Sequence, residues 1–137
     1  MIVLDEQLLG YDLRAAIARW YRGKVLDITQ LRPGTVIHDE AIPVLLRRIR
    51  LPTFVTINVD DFWRRMAPDA KCCIACFAVP HTRAEEVAQL LRRLLAARPF
   101  HTRRGRVGKI VRVSQRQIQY YSAESWAVRT VALPRMS

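Results

Sequence analysis

Three pairs of acids could do chemistry in this chain. Asp5 and Glu6 follow an apolar run. Asp39 and Glu40 open an amphipathic stretch. Asp60 and Asp61 follow a β-branched run, with Asn58 just before them. Carboxylates brought together repel unless a cation sits between them. Hard divalent cations take oxygen ligands, and Mg²⁺ uses few carboxylates, keeps waters and meets substrate phosphates. One or two such ions activate water and stabilise an in-line displacement at phosphorus. The chemistry on offer is metal-assisted attack on a phosphodiester, if the fold gathers the acids. The plainer alternative is that Asp60 or Asp61 simply N-caps a helical turn beginning at Phe62.

Short elements must position these side chains. Ile2 to Asp5, Lys24 to Thr29, Thr53 to Ile57 and Cys72 to Val79 have the apolar, β-branched composition of buried strands. Leu13, Ile17, Trp20 and Tyr21 recur at helical spacing behind Asp12, a candidate N-cap, and Gly23 stops that helix. Ile42, Leu45, Leu46 and Ile49 form the apolar face of a second helix, with Asp39 as its N-cap and Pro43 in its first turn. Thr82 and Glu85 have capping-box spacing at the head of a third, running to about Ala97. A turn is expected over Arg32 to Thr35 and a short helical turn over Phe62 to Met66. In the tail, Val107 to Val113, Gln117 to Ser122 and Ala127 to Leu133 read as strands, the first two paired around Ser114 to Arg116. This order predicts an α/β protein with a mainly parallel sheet and helices on both faces. Its strand carboxyl ends and the following helix starts share one rim, which is what would gather the acids. Residues 1–137 read as a single domain, with an α/β core over 1–98 and a basic, β-rich extension over 99–137.

Composition bounds the partners. The chain has 137 residues, half of them hydrophobic, which suffices for a real core. Its net charge of +11 argues for a polyanionic partner, most often nucleic acid. From Val87 to Ala123 there is no acid and there are nine Arg or Lys. Arg103, Arg104, Arg106 and Lys109 in that span are candidate nucleic-acid contacts, joined by Arg64 and Arg65 beside Trp63. Trp63 itself reads either as a stacking ring or as the apolar plug under its turn. The apolar runs are too short for a membrane span. Met1 to Glu6 lacks the basic start of a signal peptide, so a cytoplasmic location is the default expectation. Cys73 and Cys76 have CxxC spacing, but no second pair of ligands completes a zinc site, and within a strand they would face opposite sides. Core packing is the expected role of Cys72, Cys73 and Cys76. His38, His81 and His101 have no ligand spacing, and Gly105 to Gly108 lacks the pattern of a phosphate loop.

The motifs also resemble a family. Val3-Leu4-Asp5-Glu6-Gln7-Leu8 is similar to the "LDENLP" opening of PIN-like proteins related to toxin nucleases. Asp39-Glu40-Ala41-Ile42 resembles their "DEEI" helix start, and Phe54 to Phe62 resembles their "LVTNDRDF" segment. The resemblance covers about the first 65 residues. It implies a PIN-like three-layer sandwich, a ribonuclease dependent on Mg²⁺ or Mn²⁺, and the toxin half of a toxin–antitoxin pair. By that carry-over Asp5, Asp39 and Asp61 are the catalytic acids and metal ligands, with Glu6, Glu40, Asp60 and Asn58 supporting. RNA is then the expected partner, with an antitoxin protein and a second copy of the chain as further candidates. The chain departs from the family at one motif acid, which falls on Val59 or, shifted by one, on Asn58. That departure opens an alternative: a non-catalytic module, binding nucleic acid or a partner, with a degraded acidic site.

Overall fold

The structure, a computed structural model, describes residues 1–32 and 37–135. The expected turn over Arg32 to Thr35 lies outside the described residues apart from Arg32. Seven strands form one mixed sheet: β1 (Ile2–Leu4), β2 (Val25–Asp27), β3 (Thr53–Thr56), β4 (Cys73–Phe77), β5 (Lys109–Val113), β6 (Gln117–Ser122) and β7 (Arg129–Ala132). Their spatial order is β2-β1-β3-β4-β5-β6-β7. The first five pair in parallel, and β6 and β7 are antiparallel additions. The basic extension therefore does not stand apart. Its first strand, β5, is the fifth member of the parallel core and pairs Ile110 with Ile74. The β5–β6 hairpin forms as expected, closed where Ser114 N–H donates to the Gln117 carbonyl at 3.0 Å.

Alternation along the strands sends side chains to two cores, one on each face. Ile2, Leu4, Val55, Ala75, Phe77 and Val111 pack with α1 (Leu13–Ala18) and α4 (Val87–Leu94). Val3, Phe54, Ile74, Cys76 and Ile110 pack with α2 (Ile42–Leu46) and α3 (Val59–Phe62). Parallel strands covered on both faces have no solvent-facing register, which explains their near-continuous apolar composition.

Three helix starts differ from expectation. Asp12 has φ of 54° and its side chain caps nothing. The second helix opens as a 3₁₀ turn over Asp39–Ala41 with His38 at the cap, so Asp39 sits inside the first turn with its carboxyl free for other partners. The Thr82–Glu85 capping box does not form. His81–Glu86 is a 3₁₀ segment broken at Arg83, and α4 begins only at Val87. There the Arg83 guanidinium holds Glu86 at 2.9 Å, and Gln115 donates to the same carboxylate at 3.0 Å. These pairings replace the reciprocal cap.

The cysteines pack as expected. Cys73 and Cys76 belong to opposite cores, and all three are free thiols in buried positions. Burial pushes Cys72 and Cys73 up to about 12 and raises Cys76 as well. The thiolate is the reactive form. Native protein at neutral pH should therefore resist an aromatic disulfide reagent, and three thiols should appear only on denaturation. Rapid titration of even one thiol in the folded state would contradict this burial.

Candidate active site at the carboxyl edge of the sheet

Strand order reverses at β1, which has β2 on one side and β3 on the other. In open parallel sheets the crevice outside the strand ends at such a point is where ligands bind. Asp5 leaves β1 there. Its backbone N–H still donates to Val55 at 2.9 Å, so the ladder fixes its direction. The side chain is 4% exposed. Thr56 Oγ1 donates to Asp5 Oδ2 at 2.6 Å and accepts from Asn58 N–H at 2.9 Å. The neighbouring Glu6 and Gln7 backbone also favours its charged form, although the Asp5 side chain does not cap the 3₁₀ turn that follows it. Burial nevertheless dominates and raises its proton affinity above the usual carboxylate range.

The polar chain continues from Asn58. Its Oδ1 accepts from Asp61 N–H at 3.3 Å, which caps α3, and its Nδ2 donates to Asp61 Oδ2 at 2.7 Å. Asn58, rather than Asp60 or Asp61, is thus the cap, and the helix starts at Val59 rather than Phe62. Its carbonyl is engaged in capping, so as a metal ligand it would have to give up that bond. Asp61 in turn lines one cavity with Asp39, close enough for its charge to act on Asp39. Burial first, then the charge of Asp61, its hydrogen bond and the charge of Asp5, raise Asp39 above its ordinary value. One network thus links the ends of β1 and β3 with the turn before α2.

The supporting acids are placed unequally. Glu6 adds its charge to Asp5, and exposed Glu40 adds its charge to Asp39. Asp60 is exposed and lines a separate cavity of about 430 Å³ with Gln7, Asn58, His81 and Arg112. Asp39 and Asp61 line a cavity of about 510 Å³ with Arg65, Arg47 and Asp69. Among the described residues, no group of three or more His, Cys, Asp and Glu side chains is placed so that it could hold a metal ion. Mg²⁺ needs only one or two carboxylates and keeps its waters. The Asp39–Asp61 pair, with Asp5 adding negative charge, fits that donor chemistry.

The basic residues divide between the two ends of the sheet. Arg65 is exposed beside Asp39 and Asp61, and Arg64 is exposed with φ of 60°, its N–H bonded to Tyr121 Oη at 3.0 Å. Arg103, Arg104 and Arg106 form α5 (Arg103–Arg106), which leads into the amino end of β5. They therefore stand away from the acidic rim, because parallel strands put the start of β5 opposite the end of β3. Arg106 also departs from its expected role as an RNA contact. It is 3% exposed, with Nε on Thr53 Oγ1 at 2.9 Å and Nη1 on the Phe100 carbonyl at 2.8 Å. Lys109 bonds the Gly105 carbonyl. Trp63 packs on Tyr121 with ring centroids 5.2 Å apart, as a plug under its turn.

Arg112 is the residue that sequence reasoning missed. It is in register with Cys76, which is in register with Thr56, so its side chain shares the Asp5–Thr56 face. Gln119 Oε1 accepts from it at 3.0 Å. The available signal was a lone charge inside the apolar run of β5. Comparison with protein-family models, curated proteins and solved structures returns no match to this chain.

The raised proton affinity of Asp5 has a measurable consequence. The folded state holds this proton more tightly than the unfolded chain, whose ordinary value is 3.8. The stabilisation it brings is complete below that value and is lost as pH rises through the native one. Asp5→Asn removes this loss. With chelator present, the melting temperature of the variant should gain on the wild type as pH rises from about 4 toward neutrality. A difference between the two that is flat with pH would show that burial does not penalise Asp5.

Proposed function

We propose that this chain is a PIN-like, metal-dependent ribonuclease. The observation that carries the reading is the hydrogen-bonded chain Asp5–Thr56–Asn58–Asp61 at the strand-order reversal, with Asp39 and Asp61 lining one cavity. Asp39 and Asp61 would hold Mg²⁺ or Mn²⁺, with Asp5 adding charge from its bonded position. When bound, such a cation supplies charge neutralisation and water activation for displacement at phosphorus. The chain's own residues do the rest. The Thr56 hydroxyl fixes the Asp5 rotamer. Asn58 orients Asp61. Arg65 beside Asp39 and Asp61, and Arg112 in the neighbouring cavity with Asp60, place cations near the rim for the phosphate backbone. The helices covering both faces of the sheet suit the three-layer PIN-like plan. The net charge of +11 suits a polyanionic substrate. A role as the toxin of a toxin–antitoxin pair belongs to the same reading, with the antitoxin as protein partner. Among the described residues no helix is long and apolar enough to cross a membrane.

One observation favours a second reading. The Asn58 carbonyl is spent on the α3 cap, and the motif acid of the resembled family falls on Val59 or, shifted by one, on Asn58, which suits a module that binds RNA without cutting it. The experiment is incubation of end-labelled RNA with the protein in Mg²⁺ or Mn²⁺, with and without EDTA. Cleavage that EDTA stops supports the nuclease. Binding with no cleavage under any metal supports the module, and cleavage indifferent to EDTA overturns the metal mechanism.

A further inference from the structure

The amino end of the sheet, opposite the acids, carries a cavity of about 710 Å³. Trp20, Tyr21, Arg22, Lys24, Arg103 and Arg106 line it, and among the described residues no carboxylate does. Arg106 is the telling member. A guanidinium buried this deeply is ordinarily paired with a carboxylate, because an unpaired buried charge is costly. Its two acceptors, Thr53 Oγ1 and the Phe100 carbonyl, are both neutral. The ion pairs among the described residues are Arg14–Asp27, Arg47–Asp69 and Arg83–Glu86, and none reaches this cavity. Arg22, Lys24 and Arg103 are exposed around the same space and add like charge. Burial and the neighbouring Arg103 both disfavour the charged form of Arg106. An anion in the cavity would relieve every one of these costs at once.

The aromatic side chains narrow the anion's identity. Trp20 and Tyr21 meet edge to face at 6.1 Å and are both half-buried in the cavity wall. One face of Trp20 is taken by Arg92, 6.0 Å from its centroid. Tyr21 folds back over Gly23, where a Cβ would come within 2.7 Å of the ring. Any side chain at position 23 would displace that ring. Cations beside aromatic faces are the combination that takes a phosphate and a base together.

We propose that this cavity binds the phosphate of a nucleotide, with Arg22, Lys24 and Arg103 on the phosphate and Trp20 or Tyr21 against the base. The site is separate from the acidic rim and stands whether or not that rim cuts RNA. The phosphate comes either from a free mononucleotide or from the phosphorylated end of an RNA chain.

The test is calorimetric titration of the full chain with AMP, adenosine, inorganic phosphate, a 5′-phosphorylated triadenylate, its 5′-hydroxyl form and a glutamate-rich peptide. AMP should bind and adenosine should bind at least roughly tenfold more weakly, since a charge-assisted contact is lost. Lys24→Gln with Arg103→Gln, both at exposed positions, should weaken AMP by roughly tenfold or more. Arg116→Gln with Arg129→Gln removes the same charge at exposed positions beyond the carboxyl end of β5 and on the edge strand β7 and should leave AMP binding within about twofold, since neither lines the cavity. Gly23→Ala should weaken AMP while leaving inorganic phosphate nearly unchanged, because it moves the Tyr21 ring and no cation. Tighter binding of the phosphorylated triadenylate than of AMP identifies an RNA end, and the reverse identifies a mononucleotide. Equal binding of AMP and adenosine, an equal loss in both double variants, or tighter binding of the acidic peptide than of AMP would overturn the proposal. No arm reads cleavage, so failure here and failure of the nuclease reading are distinguishable.

Discussion

Asp39→Asn is expected to lower metal-dependent RNA cleavage by roughly a hundredfold to a thousandfold, the usual loss when one preorganised charge at a reacting phosphate is removed. The fold should survive, because Asp39 makes no cap and burial already disfavours its charged form. Melting in chelator should be unchanged or slightly higher, while the stabilisation that Mg²⁺ or Mn²⁺ gives the wild type should shrink. Asn58→Asp is the informative partner. It replaces an amide that donates to Asp61 at 2.7 Å with a carboxylate at the same place. Without metal this should destabilise the rim by like-charge repulsion, and with metal it should strengthen binding. The measurements are cleavage rates and thermal shifts over a metal titration. Undiminished cleavage in Asp39→Asn would remove that residue from the mechanism. Metal stabilisation identical in wild type, Asp39→Asn and Asn58→Asp would mean that no cation binds at this rim.

Phe62→Ala should cost about 3–5 kcal/mol, the range for deleting a fully buried phenyl ring. Phe62 is 0% exposed and packs on Phe54 with centroids 5.6 Å apart. For a chain of this size the melting temperature should fall by roughly 10–15 °C. Phe62→Leu keeps most of the volume and should cost less than about 1.5 kcal/mol. The site gives this packing a second readout. Phe62 is the last residue of α3, whose first turn carries Asp60 and Asp61, so its ring anchors the turn that Asn58 caps. Phe77→Ala empties the core on the other face and should destabilise comparably. Measured well below both melting temperatures, cleavage should fall in Phe62→Ala and persist in Phe77→Ala. Equal residual activity in the two would show that the acidic turn does not depend on Phe62.

Much of the architecture was legible in order and composition. The β-branched runs at Ile2, Thr53 and Cys72 became parallel strands because buried strands need apolar residues on both faces and nothing else in the chain competes for them. The tail strands were legible from a change of period. Helix starts were not. Asp12, Asp39 and Thr82 have the right types for caps, yet each side chain is free of the cap, because tertiary partners and backbone geometry outweigh a contribution of about 1 kcal/mol.

The candidate site divides the same way. Residue types and spacing alone put three acid pairs after two strands and at a helix start, and the family resemblance then singled out Asp5, Asp39 and Asp61. Only the tertiary structure decided which atoms meet. The strand order brings Thr56 to Asp5, the cap turns Asn58 toward Asp61, and the turn before α2 brings Asp39 to Asp61. Charge was the least legible property. An acid-free run of nine cations reads as one basic surface, but direction along a strand is invisible in sequence. Parallel pairing sends Arg103, Arg104 and Arg106 to the amino end, while Arg112, a few residues later in the same segment, reaches the face that holds the acids. Composition is a sum over the chain, whereas an electric field depends on where the fold places each term.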